Sequence, residues 1–431
     1  MIVEIENIGL FEYAKANMDG LTVLAGINDT GKSTLGKVVF AIIYGLKEYK
    51  QEQEAHKDEQ ISVLTDELFF LMKRLTLETK TETKIETTAE TADRSKIEEA
   101  FRPPTFIREI KEDLRKAIDS RINMVNGLER QDKLVTLALE KLAVLSSLAS
   151  KEKSKKELII AAIDRALKSE FEGQISSRFN DKPARITFST HSGTVLVKID
   201  FKGDDICDLT IQDELLYANV TFIDSPIVMQ LSHLISASGI NSTINGASSQ
   251  RSSVPLHWKD LNKKLVDSKY RFDFDQNPVL SALIGGKVEY DKDVQTFHYE
   301  RVVDDHTFNV KAINVAAGIK SLSILNLLIS SGHISIGSFL IIDEPEVNLH
   351  PQWQIEYAKV IASLAANGIT VIVTTHSPYM IEALKTYEQM DDLKADFFLT
   401  KKSAAGIATI ESHTHNISGI IQSLAAPLDE L

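Results

Sequence analysis

The sequence holds a single cysteine, Cys207, among 431 residues. One thiol makes neither an internal disulfide nor a thiolate metal cage, so nothing here requires an oxidising compartment. Long apolar runs are missing as well. The longest, such as Val38 to Tyr44 and Phe339 to Ile342, fall far short of the roughly 20 residues that cross a bilayer. There is no basic surplus: 48 Lys and Arg face 61 Asp and Glu, a formal net charge of −13. That balance argues against a protein that coats nucleic acid or anionic lipid over its whole surface, although a local basic patch stays open. The opening MIVEIENIGLFEYAK has no basic stretch followed by an apolar one and does not read as a signal peptide. The expectation is a cytoplasmic protein that does not bind membranes. What is present is 43% apolar and 25% charged residues, the texture of an average globular chain, at a length that suggests two or three folding units of about 150 residues each.

Periodicity divides the chain. Residues 1–46 read strand, turn, helix: Ile2, Val3, Glu4 and Ile5 alternate, Leu21 to Ala25 forms a short buried strand, and Leu35, Val38, Val39, Ile42, Ile43 and Leu46 recur at helical spacing. Residues 47–183 change to long charged-and-apolar helical texture, with Leu64, Leu68, Leu71, Leu134, Leu137, Leu142, Leu145 and Leu148 as candidate packing stripes. This is expected to be a helical insertion. Its stretch Thr76 to Thr91 is almost entirely Thr, Glu and Lys, a composition that buries little and suits an exposed tip, and Pro103 and Pro104 interrupt any helix nearby. Strand texture returns over 184–230 in ITFST, TVLVKIDF and NVTFID. Within 231–284, Ser236 to Ser253 reads as a flexible loop and 254–284 as helical; Lys287 to Val310 reads as a hairpin or meander. From 285 to 431, helices alternate with buried strands (Ser321 to Ile329, Phe339 to Asp343, Pro351 to Ala366, Thr370 to Thr375), which predicts an α/β fold with a parallel sheet.

The chemistry lies in three segments. Gly26-Ile27-Asn28-Asp29-Thr30-Gly31-Lys32-Ser33, followed by Thr34, matches G-x-x-x-x-G-K-[ST]. Glycines let such a backbone fold around an oxyanion, the lysine reaches β- and γ-phosphates, and the Ser33 hydroxyl suits Mg²⁺. A buried strand enters and an amphipathic helix leaves, so the phosphate-loop reading outweighs an ordinary Gly-rich turn. Phe339-Leu340-Ile341-Ile342-Asp343-Glu344 is an apolar run ending in two carboxylates. A strand buried on both faces would deliver Asp343, a candidate Mg²⁺ ligand, to the carboxyl edge of the sheet, with Glu344 beside it as a general base for water. Ile369 to Thr375 ends in His376-Ser377-Pro378, where His376 could sense a γ-phosphate. Sharing one nucleotide requires the strands carrying Lys32 and Asp343 to be neighbours, so the intervening chain must leave a head and return. Residues 1–46 with 184–230 would form one lobe and 285–431 the other.

On GINDTGKST, NVAAGIKSLSILNLL, FLIIDEPEVNLHPQ and VIVTTHSPYMIEAL, the chain resembles the ATP-binding cassette ATPases of the SMC-like branch, and within it the bacterial OLD-like group that includes Septu-type ATPase subunits. The resemblance covers the two lobes and leaves the insertion largely uncovered. It implies an ABC-type head that binds ATP and Mg²⁺ and forms an ATP-dependent homodimer within a higher oligomer. Ala316 to Ser321 would then be the signature segment, with Ala317, Gly318 and Lys320 reaching the partner's nucleotide and Asn348 in the D-loop. Ala316 sits where a phosphate-contacting serine is common, with Lys320 or Ser321 as candidates to compensate. Phe11 and Tyr13 are candidates to stack on adenine. The resemblance further implies a separately encoded nuclease or toxin as effector in an antiviral system, because the stretch after His376 is too short for the Toprim domain of full OLD-like nucleases. Two alternatives stay open: a maintenance or repair ATPase that binds DNA itself, and a transporter cassette, against which the long insertion and altered signature count.

Weaker signals read blandly. Ile223-Asp224-Ser225-Pro226 mimics a strand ending in a catalytic acid, but Asp-Ser-Pro is also a strong turn signal and the turn is favoured. Glu411, His413 and His415 would share a strand face but show no fourth metal ligand. Lys151, Lys153, Lys155 and Lys156 are interleaved with Glu and read as a solvated helix face.

Overall fold

The structure, a computed structural model, describes residues 1–49, 154–212, 217, 219–237, 254–268, 277–390 and 393–426, with 64, 67, 136, 137, 140, 141, 143 and 144. Contacts divide the chain into one unit of residues 1–49, 159–239 and 252–431 and another of 50–158 and 240–251. The Thr76 to Thr91 stretch, Pro103 and Pro104, Lys151 and Lys153, residues 238–253, and six of the eight candidate stripe leucines lie outside the described residues. Of the other two, Leu64 is half-buried and Leu137 is 40% exposed.

The α/β expectation is met by one large mixed sheet. Its strands in chain order are β1 (Ile2–Ile8), β2 (Phe11–Asn17), β3 (Leu21–Ala25), β4 (Arg185–Ser189), β5 (Val195–Lys202), β6 (Asp205–Ile211) and β7 (Asn219–Ile223), then β11 (Ser338–Asp343), β12 (Thr370–Thr375), β13 (Ala395–Lys402) and β14 (Ala408–Ser412). Across the sheet they run β6-β5-β4-β1-β2-β14-β13-β3-β12-β11-β7. From β13 to β7 every pairing is parallel. A separate meander of β8 (Lys287–Asp291), β9 (Thr296–Val303) and β10 (His306–Lys311) forms the three-stranded sheet expected near Lys287.

The longer helices are α1 (residues 32–49), α2 (Lys155–Glu170), α3 (Leu256–Asp267), α4 (Pro278–Ile284), α5 (Ala317–Ser330), α6 (Pro351–Ala366), α7 (Pro378–Met390) and α8 (Ile417–Ala425). α1 buries Leu35, Val38, Val39, Ile42 and Ile43 on one face of the large sheet, in a cluster with Phe339, Ile341, Ile372 and Phe222. The alternate strand residues Leu340, Ile342, Val371 and Val373 enter a second cluster with Leu325 of α5, Ile361 of α6, Leu384 of α7 and Ile420 of α8. Burial on both faces is why β11 and β12 read as unbroken apolar runs. α1 approaches the sheet closely: a methyl group at Gly36 would stand 3.0 Å from the Ile341 side chain.

Two features differ from the sequence reading. The first is β2, which pairs antiparallel with β1 from Ile8↔Phe11 to Ile2↔Asn17; FEYAKAN carries the charged Glu12 and Lys15, and only its buried Phe11, Ala14 and Ala16 mark it as a strand. The second is sheet order. β12 lies between β3 and β11, so the strands carrying Lys32 and Asp343 are not neighbours. The loops beyond β3 and β11 meet over the end of β12 instead.

Candidate active site

The parallel strands β13, β3, β12, β11 and β7 all end on one edge, where strand carbonyls give way to loops. After β3, the loop Gly26 to Gly31 turns into α1. Gly31 has φ 81, the left-handed region that disfavours a Cβ, and a methyl group there would stand 2.6 Å from the Phe11 ring; at Gly26 it would stand 2.2 Å from the Thr400 hydroxyl oxygen. Phe11 is fully buried beneath this loop, so it cannot stack on a base. Tyr13, 51% exposed, remains available. Asn28 and Asp29 are exposed on the loop, Thr30 is buried, and Thr34 is half-buried with its N–H donating to the Gly31 carbonyl at 3.0 Å.

Segments from opposite ends of the sequence converge here. The Ser33 hydroxyl donates to Asp343 Oδ2 at 2.7 Å, and Lys32 Nζ stands 3.5 Å from Glu344 Oε1. Lys32 is buried and donates to the carbonyls of Gly26 and Ile27, both at 2.9 Å. His376 Nδ1 lies 3.6 Å from the same Glu344 oxygen. Thr374, opposite Asp343 in the β11/β12 register, donates its hydroxyl to Asp343. Burial, the largest influence on Asp343, pushes its pKa up against the hydroxyl bonds from Thr374 and Ser33, and the charges of Glu344 and Asp224 add to the rise. A carboxylate lined by hydroxyls and other acids calls for added positive charge. The oxygens of Ser33 and Asp343 are hard donors that fit Mg²⁺ completed by phosphate and water. No cluster of three or more His, Cys, Asp or Glu able to hold a metal by themselves occurs among the described residues.

The turn after β11 is held in an unusual backbone. Glu344 has φ 48 and Asn348 φ 66, both left-handed, as is Asp29 with φ 63. Asn and Asp tolerate this region better than most residues, whereas Glu adopts it at a cost. The Glu344 N–H donates to Thr374 O and to the Thr374 hydroxyl, each at 3.1 Å, which fixes the turn. Asn348 and Val347 are exposed. His350 caps α6 through Nδ1, which accepts from the Gln352 N–H at 3.3 Å, and Pro351 takes the first helical position as expected.

The signature segment is built differently from its sequence reading. α5 begins at Ala317 with no side-chain cap at Ala316. Gly318 lies inside the first turn, where a methyl group would be 3.0 Å from the Asn348 carbonyl oxygen, so this helix start is packed on the turn after β11. Lys320 is buried and donates to the Ala312 carbonyl at 3.3 Å, with burial lowering its pKa. The Ser321 hydroxyl bonds back to the Ala317 carbonyl at 3.2 Å. Both candidates to compensate for Ala316 are thus engaged within their own chain.

Several residues here escaped the sequence reading. β13 supplies Thr400, whose hydroxyl is 2.7 Å from that of Thr30 and donates to Ala25 O at 3.1 Å, and Lys402, which pairs with Asp29. Glu346, in the turn after β11, reaches the end of β12, where it accepts from the Thr375 hydroxyl and the His376 N–H. Asp224 is more than a turn residue. Ile342 pairs with Ile223, so Asp224 ends β7 beside Asp343, and it accepts from the Trp258 indole at 2.8 Å. His257, at the start of α3, stands between Asp224 at 3.0 Å and Glu170 at 2.6 Å and stacks on Phe222. Burial by itself would lower the His257 pKa, but the bonds and charges of Asp224 and Glu170 outweigh it and raise it to about 9. Burial likewise works to raise Asp224, but His257 and Trp258 outweigh it and hold its pKa below the usual carboxylate value. At the far end of the chain, β14 stops at Ser412, so Glu411, His413 and His415 do not share a strand; Glu411 pairs with Lys401. Lys155 and Lys156 are exposed at the start of α2.

Residues 235–382 match the family model described as "AAA domain, putative AbiEii toxin, Type IV TA system". That span contains the start of α5, Asp343, Glu344 and His376, and excludes the phosphate loop. No curated protein matches the sequence. Among solved structures, the SMC head domain from Thermotoga maritima is similar at 12% identity and TM-score 0.37, over 95% of this chain and 97% of that one. An Smc head bound to the C-terminal winged-helix domain of ScpA is similar at 9% identity and TM-score 0.40, over 97% and 98%. An Smc head with an extended coiled coil bound to the C-terminal domain of ScpA, derived from Pyrococcus furiosus, is similar at 11% identity and TM-score 0.34, over 97% of each chain. No described helix is long and apolar enough to cross a membrane.

Proposed function

We propose that this chain is an ATP-binding and ATP-hydrolysing head of the ABC type, that two copies close around ATP, and that closure and reopening regulate a separately encoded nuclease or toxin in a bacterial antiviral system of the Septu kind. One observation carries the ATPase reading: Ser33 and Lys32 from one end of the sequence meet Asp343 and Glu344 from the other at 2.7 and 3.5 Å. In this reading Lys32 exchanges two loop carbonyls for phosphate oxygens, and Ser33 and Asp343 hold Mg²⁺. A Mg²⁺ held by these two oxygens would supply charge neutralisation to the transferring phosphoryl group. Glu344 accepts a proton from the attacking water, and His376 contacts the γ-phosphate. The exposed Asn348 is the part of the turn after β11 that would face the second copy. The effector part rests on the resemblance of DEPEVNLHP to the OLD-like group alone.

The test is Glu344→Gln with ATP and Mg²⁺. The variant is expected to retain ATP, lose hydrolysis and sediment as a trapped dimer, because ATP favours the closed state by differential binding. A variant that binds ATP yet sediments like the wild type removes the dimer mechanism. Co-purification with the product of the neighbouring open reading frame tests the effector, whereas hydrolysis stimulated by DNA with the chain alone would favour the maintenance ATPase.

A further inference from the structure

Glu346 belongs to no role assigned so far, yet it is among the most enclosed acids near the site, its side chain 3% exposed. It lies on the turn that follows β11, and that turn is pinned at both ends: Val347 N–H donates to Glu344 O at 3.1 Å and Leu349 N–H to Glu346 O at 3.0 Å. From there its carboxylate crosses to the end of β12. Oε1 accepts from the Thr375 hydroxyl at 2.8 Å and from the His376 backbone N–H at 2.7 Å, and it stands 3.2 Å from His376 Nδ1. Oε2 is buried without a hydrogen-bond partner among the described residues. The residue after His376 is pinned too, since the Ser377 hydroxyl donates to Gln354 Oε1 at 2.6 Å.

We propose that Glu346 is the positioning residue for His376, fixing its backbone through the N–H and its ring through Nδ1, so that the opposite ring nitrogen is presented to the nucleotide. This rests on the ATPase reading above. Nδ1 is enclosed while the His376 side chain as a whole is 41% exposed, so the open part of the ring lies away from Glu346. A carboxylate at one imidazole nitrogen sets which tautomer the other presents. The ring contact is not an aligned hydrogen bond in the free protein, and such contacts commonly tighten when substrate arrives. Because Glu346 and Glu344 share one turn, the same backbone that aims the water-activating carboxylate also aims the phosphate-sensing ring.

The experiment is Glu346→Gln, which keeps size and acceptor but removes charge, measured beside His376→Ala and the double variant in full-length protein. Glu346→Gln is expected to lower kcat roughly 10- to 100-fold with KM and the affinity for a fluorescent ATP analogue within about twofold. In the His376→Ala background it should cost less than about twofold more, because a residue acting through another shows non-additive losses. Thr375→Val, which removes one donor to Oε1, should give a smaller kcat loss that also vanishes without His376. Unchanged kcat in Glu346→Gln, or losses that multiply in the double variant, would overturn the proposal. So would joint loss of ATP binding and melting temperature, which marks a merely structural acid. A wild-type protein that neither binds nor hydrolyses ATP would remove the reading of the site itself, and this inference with it.

Discussion

In the parallel part of the large sheet, β3, β7, β11 and β12 are buried almost without interruption, whereas β1, β4 and β5 in the antiparallel part alternate buried with half-exposed residues. The contrast has a geometric origin. Parallel strands are covered on both faces by crossover elements and all end on the same edge, so polar side chains placed just beyond each apolar run are gathered automatically. Antiparallel strands end alternately on either edge and keep polar positions along their length, used here for pairs such as Arg185 with Asp200 and Lys15 with Glu4. One part of the sheet concentrates chemistry at its rim; the other spreads charge over its surface.

Four measurements would sharpen or break that contrast. The largest effect is expected at the rim: Lys32→Ala should abolish ATP binding, read by titration of a fluorescent analogue, while the melting temperature changes little. Next is the packed interior. Ile341→Ala, which removes a fully buried side chain lying against Gly36 of α1, should cost about 2–5 kcal/mol in urea unfolding; a smaller loss would mean that α1 closes onto β11 without strain.

The third is pH-dependent. His257 has its folded pKa raised from 6.5 to about 9 between Glu170 and Asp224, so its contribution is fully present below pH 6.5 and is lost as pH rises through about 9. The wild type should lose a few kcal/mol of unfolding free energy over that window relative to His257→Gln, whose curve should stay flat there. Equal slopes for the two proteins would show that the imidazole is not charged in the fold. The smallest effect is expected on the antiparallel surface: Lys15→Ala, removing an exposed cation paired with Glu4, should leave the melting temperature within error of the wild type.

Sequence periodicity foresaw the elements that serve one purpose at a time. LTVLA, SFLIID and TVIVTT are built on apolar runs and buried almost throughout because both faces are covered, and GINDTGKS stands out because glycines and a lysine at fixed offsets have few other uses. Residues whose function depends on distant partners were not legible. FEYAKAN hides a strand behind its charges, Phe11 reads as an available aromatic until it is found beneath Gly31, and Asp224 reads as a turn until His257 and Trp258 close on it. Thr400, Lys402 and Glu346 sit in ordinary-looking stretches, and nothing local distinguishes them.

The sequence by itself determined that a phosphate-type loop, an acid-tipped strand and a histidine-tipped strand exist, because each is written in consecutive residues whose spacing is set by strand and helix periods. Only the tertiary structure decided that β12 separates the two outer strands, that Lys320 turns inward, and that Glu346 stands against His376. Those are contacts between residues far apart in the chain, fixed by which surfaces exclude water together, and no local pattern encodes them.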